Sequence, residues 1–406
     1  MKHSRILLWM AWTAALLGLV VMTVPDCVAA PISPSASAAA QSNPAQPPAP
    51  EPAQEPQAAP QTLPVAVESP VTEAQPTYPN RLLHGFGDVV FSTTGGGAGR
   101  RFSLGQLIFQ YSSALSPRTF VFTEVSFTPR GDAGTSGVTP NNVDVERLFF
   151  RYDVNDRLKV SAGRYHTPIN WWNTAYHHGL WLQTTISRPE MTRFGGQFIP
   201  VHLVGGLIEG VLPAGGLNLN YNVGVGNGRS NITRGGETGD VNTEPAGLIN
   251  LFVRPDRFYR LQVGASAYRD NVVLAPGNRK IEEWILSGHV VYQKEDPEII
   301  AEYARVNHKE TGAPSANSEA YYVQIAYRLN RARSPLKPYY RYERIRIPAS
   351  DPVFTPSTTA TLSGNTVGLR YDFSDLATLK LEYRDFQRRA PAVDTTGVFA
   401  QVAFTF

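Results

Sequence analysis

The chain is 406 residues long, with a formal net charge of +3 and 17% charged residues. So small a charge leaves no electrostatic footprint for nucleic acid. The single cysteine, Cys27, excludes a disulfide framework and lies in a segment expected to be removed, so neither a thiol nucleophile nor a thiolate metal site is expected.

At the N-terminus Lys2, His3 and Arg5 precede an apolar run from Ile6 to Val24, closed by Val28-Ala29-Ala30. A basic start, an apolar middle and small residues at the end predict a secretory signal peptide over 1–30, with a membrane anchor as the other reading. Beyond it no apolar stretch reaches the ~18 residues that a spanning helix needs. Any passage through a membrane must therefore be made by strands of a closed barrel. Pro, Ala and Gln dominate the segment 31–80; 13 of the 32 prolines fall within 31–79, where there is no Lys or Arg. Such a composition buries too little apolar surface to offset its ordering entropy. The segment is expected to be a disordered, extended tether.

From residue 81 to 406 one unit recurs: about ten alternating residues, a turn, about ten more. Sixteen such units run from 82–94 and 101–113, through 156–165, 257–268 and 319–330, to 376–386 and 395–406. Each matches the ~9–11 residues that cross a bilayer when tilted. Their faces differ: Val367, Leu369, Tyr371 and Phe373 oppose Thr366, Gly368, Arg370 and Asp372, and Leu379, Leu381 and Tyr383 oppose Lys380, Glu382 and Arg384. In 156–165 the pattern breaks, because Arg164 falls on the face of Leu158, Val160 and Ala162; it must sit near a rim, or a bulge must turn it. Short links such as Asn155-Asp156, Pro255-Asp256 and Ser374-Asp375 carry turn chemistry. They alternate with longer links at 129–142, 166–201, 227–245, 269–280, 308–318, 347–362 and 387–394. The final strand sets Val398, Ala400, Val402, Phe404 and Phe406 against Phe399, Gln401, Ala403 and Thr405, and ends the chain on an aromatic.

Even strand number, alternating faces, alternating link lengths and a terminal Phe together resemble the bacterial outer-membrane β-barrels, and in particular the sixteen-stranded porins. The Gly163-Arg164-Tyr165-His166-Thr167-Pro168 stretch is similar to a strand-to-loop junction of the phosphate-selective group, although the lysine ladder of that group is not evident. The resemblance implies an all-β, closed antiparallel transmembrane barrel over 81–406, with both termini in the periplasm and lipid of the outer membrane around it. It also implies a third external loop folded into the lumen, a homotrimer, and passive diffusion of small hydrophilic solutes or ions. On that reading 31–80 is either an inert linker or a periplasmic spacer in contact with the cell wall.

The link 166–201 is the longest and, with His202, holds four of the eight His and three of the six Trp. A loop of this size and aromatic content is expected to have a task and to pack against something. The candidate constriction residues are His166, Trp171, Trp172, Tyr176, His177, His178, Trp181, Arg188 and Arg193; the aromatics either line the narrowest point or pack the loop against the wall. Alternation places Arg147, Arg151, Lys159, Arg260, Glu302, Arg328, Arg341, Glu343, Arg370, Lys380, Glu382 and Arg384 on the inner face. These charges either give the pore a weak anion preference or pair with each other and only hold the barrel together.

Catalytic residues, cofactors and metals are not expected. Adjacent histidines rarely share one ion, so His166, His177, His178 and His202 read as hydrogen-bonded loop histidines rather than a metal set. Gly224-Val225-Gly226-Asn227-Gly228 opens no helix and fails as a dinucleotide turn. Ser287 and His289 share an inward face without a motif around them. A non-conducting structural or adhesion barrel and an outer-membrane hydrolase remain the alternatives to a channel.

Overall fold

A computed structural model describes residues 77–94, 100–129, 141–178, 181–193, 198–231, 234–235, 242–274, 277–332, 334–355, 361–389 and 396–406. The expected signal peptide, and the expected tether up to residue 76, lie outside the described residues.

Among the described residues sixteen antiparallel strands close into a barrel. They are β1 (Asn80–Thr94), β2 (Arg100–Ser116), β3 (Thr119–Pro129), β4 (Asn141–Asn155), β5 (Leu158–His166), β6 (His202–Leu212), β7 (Leu219–Asn227) and β8 (Ala246–Val253), followed by β9 (Leu261–Leu274), β10 (Arg279–Gln293), β11 (Glu298–Glu310), β12 (Ala316–Ala326), β13 (Leu336–Arg346), β14 (Thr361–Ser374), β15 (Ala377–Arg389) and β16 (Gly397–Thr405). Every strand pairs with its neighbours in sequence, and β1 pairs with β16 from Phe86↔Thr405 to Thr94↔Gly397. A small ribbon, Arg229–Asn231 with Arg234–Gly235, forms a separate sheet that is tied to β9 by the Arg229 N–H donating to Asp270 at 2.5 Å.

The period of two explains the wall. On β16, Val398, Val402, Phe404 and Phe406 are exposed, whereas Phe399, Gln401 and Ala403 are buried. The same alternation runs along β12, where Tyr321, Val323 and Ile325 face outward and Tyr322 and Gln324 inward. An outward apolar face of this extent is far larger than a soluble monomer exposes, and a closed barrel leaves no unpaired edge. Closure is tight at the C-terminus: Gly85 and Phe406 exchange backbone hydrogen bonds of 2.9 and 2.8 Å. The Phe406 ring lies over Gly85, where a Cβ would meet ring carbons at 2.5 Å.

All sixteen expected strands exist, with three departures. Residues 256–258 form a single 3-10 turn, so the ninth strand begins at Leu261 rather than 257 and runs on to Leu274. Leu329–Ala332 coils into one helical turn, so the twelfth strand spans Ala316–Ala326 rather than 319–330. Two links expected to be long, 269–280 and 308–318, shrink to 275–278 and 311–315, because the flanking strands keep pairing beyond the bilayer-length window.

The interior is also less watery than alternation implies. Ile281, Ile285, Ile300, Val306, Ile345 and Leu362 sit on inner faces, yet they belong to one buried apolar cluster with residues of two loops. One loop is 167–201, between β5 and β6. The other is the link after β13, whose Val353 and Phe354 are fully buried.

Candidate functional site

The loop 167–201 starts and ends at one place on the wall. His166, the last residue of β5, is the cross-strand partner of His202, the first of β6. From that base the chain bonds to the buried faces of strands far around the barrel. The N–H groups of Trp171 and Trp172 both donate to Glu302 Oε1 of β11, at 2.7 Å each. Thr184 Oγ1 donates to Glu298 at 2.9 Å. The Ile186 N–H donates to Glu382 of β15 at 2.9 Å, as the Ser187 hydroxyl does at 2.8 Å. Arg341 of β13 is wholly buried; it donates to the Ser187 carbonyl at 2.8 Å and to the Ser187 hydroxyl at 2.7 Å. Arg370 of β14 donates to the carbonyls of Trp181, Leu182 and Gln183, and Lys380 to that of Thr185. Glu343 accepts from the Glu190 N–H at 2.6 Å. Most of these bonds use loop backbone on one side and a wall side chain on the other; the exceptions use the hydroxyls of Thr184 and Ser187. A loop whose only regular pieces among the described residues are the short turns Trp172–Ala175 and Glu190–Thr192 thereby satisfies much of its buried backbone.

The aromatics pack against each other and the wall. Tyr176 lies edge-on to Trp171 and Trp172, at 4.7 and 5.1 Å between centroids, and Trp172 meets Tyr322 of β12 at 6.0 Å. Burial pushes the Tyr176 hydroxyl above the usual tyrosine range. Arg193 is the exception among the expected constriction residues: its side chain is half exposed and turns to Glu190 at 3.4 Å. Arg188 donates to the carbonyls of Thr192 and His177, and burial pulls its guanidinium down to about 9.

Most of the expected inner-face charges are paired. Arg147 meets Glu124 at 2.6 Å, Arg151 meets Asp153 at 2.8 Å, and Lys159 meets the same Asp153 at 3.7 Å. Arg341 pairs with Glu343, Arg370 with Asp372, and Arg384 with Glu382. One residue was misplaced by alternation: Arg260 precedes β9 at the short-turn end, where it is exposed and donates to the Gln293 carbonyl at 3.0 Å, because the turn at 256–258 cuts the predicted strand short. Arg328 lies just past the end of β12 but keeps the inward phase, with a side chain 13% exposed that pairs with Glu295 and Asp372.

The four histidines converge. His166, His177, His178 and His202 are buried, and each offers a ring nitrogen within 4.8 Å of the others. Behind them lie Glu124, which is 3.7 Å from His166, and Glu146, which is 3.0 Å from His202 and 3.3 Å from His178. The sequence reading set the adjacency of His177 and His178 against a shared site. Here the backbone at 176–178 is a bend, neither helix nor strand, and the two rings stand 4.4 Å apart at 80° on the same side. Burial, then the neighbouring histidines and Arg188, hold His177 well below the usual imidazole range. Glu146 was missed because alternation puts it outside. It is the extra residue of a β-bulge, where Glu124 faces Arg147 but Val125 faces Val145. Two consecutive side chains of β4 therefore point inward. Arg164 turns in beside them, 3.8 Å from Glu146 and 3.1 Å from His202 Nδ1. The residue before it, Gly163, has φ +142°, a conformation that only glycine adopts readily.

Also unforeseen is a second buried network. Asp351, in the loop after β13, is bonded to both His308 of β11 and Ser318 of β12, at 2.9 and 2.7 Å, and His308 reaches Glu283 at 2.8 Å. Arg229 joins it through Glu283 at 3.3 Å and donates to the Phe198 carbonyl at 3.0 Å. Phe354 stacks on Phe198 at 5.1 Å, so the two loops are packed together. Ser287 and His289 do not form a catalytic pair: the Ser287 hydroxyl has no hydrogen-bond partner among the described residues, and His289 Nε2 lies 2.9 Å from the Gln262 amide.

No protein-family model and no curated protein matches the sequence. Solved structures do match. An anion-selective porin from Comamonas acidovorans superposes with TM-score 0.57 at 12% identity, over 80% of this chain and 99% of that one. Salmonella typhi OmpF, in complex with daunomycin, gives TM-score 0.57 at 12% identity over 81% and 98%. The outer-membrane channel DcaP of Acinetobacter baumannii gives 0.56 at 12% over 80% and 97%. This chain has the porin fold. The porin fold accounts for the closed wall and its sixteen strands; the histidines, the paired charges and the two packed loops are read from this chain alone.

Proposed function

We propose that the protein is an outer-membrane channel for passive diffusion of small hydrophilic solutes or ions, and that loop 167–201 folds into the barrel and sets its narrowest point. The observation that carries this reading is the bonding of that loop to the buried faces of β11, β13, β14 and β15, strands remote from its own base. A lid resting on the rim would not reach inward residues of so many strands. The exposed apolar faces suit hydrocarbon, where a lipid-facing charge at mid-depth would cost ~2–4 kcal/mol. The even strand number puts both termini at the short-turn end, which on this reading is the periplasmic one. A homotrimer is part of the proposal, supported by the similarity to Vibrio cholerae OmpT, an outer membrane protein solved in a trimer form (TM-score 0.52, 14% identity).

Selectivity on this reading is weak and anionic, because Arg147, Arg341, Arg370 and Arg384 each face a carboxylate that cancels most of their field. Reversal potentials across a salt gradient test it, and clear cation selectivity would defeat it. Planar-bilayer recording of the folded chain tests the channel itself: discrete conductance steps are expected. A second reading, a sealed structural or adhesion barrel, is favoured by the buried apolar cluster that both loops share with the inner wall. It predicts correctly folded protein that inserts without conductance.

A further inference from the structure

We propose that His166, His177, His178 and His202 form a binding site for one late first-row divalent cation, Zn²⁺ foremost, which staples the long loop to the ends of β5 and β6. The site does not depend on the channel reading, since a sealed barrel would hold it equally well.

Three independent features carry the proposal. The first is convergence: four imidazole nitrogens lie within 4.8 Å of one another, and all four residues are buried. Tetrahedral Zn²⁺ with Zn–N bonds of about 2.0–2.1 Å sets its ligand nitrogens about 3.3 Å apart, so binding draws the set together by up to about 1.5 Å. Imidazole donors suit zinc, copper and nickel rather than calcium or magnesium.

The second is the outer ring of partners. His177 Nδ1 lies 3.2 Å from the Asn173 amide oxygen, and His178 Nδ1 lies 3.3 Å from that of Gln106. An amide oxygen only accepts, so His177 Nδ1 carries the proton and its Nε2 faces the centre. This is how protein metal sites fix the tautomer and orientation of their histidines. His178 Nε2 and His202 Nε2 face Glu146 Oε2 at 3.3 and 3.0 Å, so a cation there would displace the proton each shares with that carboxylate. His202 needs one further adjustment. Arg164 donates to its Nδ1, so a cation on Nε2 requires the ring proton to move to Nδ1. The guanidinium would then shift wholly onto Glu146, which it already faces at 3.8 Å.

The third is unmet demand. Neither ring nitrogen of His166 makes a hydrogen bond among the described residues, although the residue is buried. Glu124 Oε1, wholly buried and 3.7 Å from His166 Nε2 and 3.9 Å from His178 Nε2, likewise makes none. Buried polar atoms left this way are costly unless something occupies the space between them. Glu124 and Glu146 also supply two negative charges beside the cluster, which offset a divalent cation. Arg147 and Arg188 stand nearby, but Arg147 is bound to the other oxygen of Glu124 and Arg188 to loop carbonyls.

The test is metal content of the full chain folded in detergent with Zn²⁺ and then desalted. One Zn²⁺ per chain is expected. Co²⁺ in its place should give the intense visible absorption of a tetrahedral nitrogen site, and X-ray absorption should count imidazole ligands. The H177A/H178A double substitution changes only loop residues and should abolish stoichiometric binding. Gln106→Ala, which leaves all four ligands, should weaken it by about 10–100-fold. His84→Ala, outside the cluster, should bind like the parent. Folded parent protein without stoichiometric Zn²⁺ overturns the proposal. So does binding that survives H177A/H178A, which is adventitious. Should that variant fail to fold, an absorption spectrum of the parent showing no imidazole ligands overturns it as well.

Discussion

Glu302→Ala is the most direct probe of how the long loop is held. Glu302 Oε1 accepts the N–H groups of Trp171 and Trp172, both at 2.7 Å, and all three residues are buried. Alanine removes the acceptor and leaves two buried donors unsatisfied, at a cost of about 1–3 kcal/mol each. Docking of the first third of the loop should therefore weaken by about 2–6 kcal/mol, before any water that enters recovers part of it. At 1.4 kcal/mol per tenfold, the population with this segment undocked rises by roughly thirty- to twenty-thousand-fold. Two assays read it. Limited proteolysis of the folded barrel should gain a cleavage site within the loop. Single-channel recording should show larger or noisier steps if the loop narrows a pore. Glu302→Gln keeps an acceptor oxygen in place and should fall between variant and parent. The reasoning is refuted if folded Glu302→Ala protein resists protease as well as the parent does.

Gly163→Ala should prevent or slow folding, because the backbone there has φ +142° and a Cβ would lie 2.1 Å from the Leu148 carbonyl oxygen. Backbone strain alone costs on the order of 1–3 kcal/mol, and the fraction of heat-modifiable barrel on a gel measures the loss. Gly85→Ala should destabilise closure by about 1–3 kcal/mol through overpacking against the Phe406 ring, read as a lower thermal midpoint in detergent. Asp351 gives a pH dependence with a definite sign. Burial alone would raise its carboxyl, but the bonds from His308, the Phe354 N–H and Ser318 hold it below the usual aspartate range. A depressed folded value contributes stability that is present above the unfolded pKa of about 3.9 and is lost as pH falls through the folded value. The stability gap between the parent and Asp351→Asn should therefore be full near neutral pH and shrink below about pH 4, in paired thermal melts.

The wall was legible because it obeys one rule. A side chain of a spanning strand has only two environments, so Val398 to Phe406 announces its orientation residue by residue, and Arg370, Lys380 and Glu382 were placed inside on the same ground. What alternation could not show is where it stops. The turn at 256–258 removed Arg260 from the interior, and the bulge at Glu146 brought in a carboxylate that strict counting puts outside. The loop's size and aromatic content signalled that it must pack, yet its partners depend on which strands lie opposite once the barrel closes, and only long-range pairing fixes that. His177 and His178 illustrate the limit most clearly. Adjacency argues against a shared ligand in a helix or a strand, but a bend follows neither rule, and no local pattern in the sequence foretold one.

Because His166 and His202 face each other across neighbouring strands, the polypeptide leaves the cylinder and rejoins it through a single narrow neck. Everything between them is tethered at one point of the wall and held elsewhere by side chains such as Arg341, Arg370 and Glu382. Substitutions at those three should loosen single stretches of the segment, while substitutions at the neck should disturb both of its ends at once.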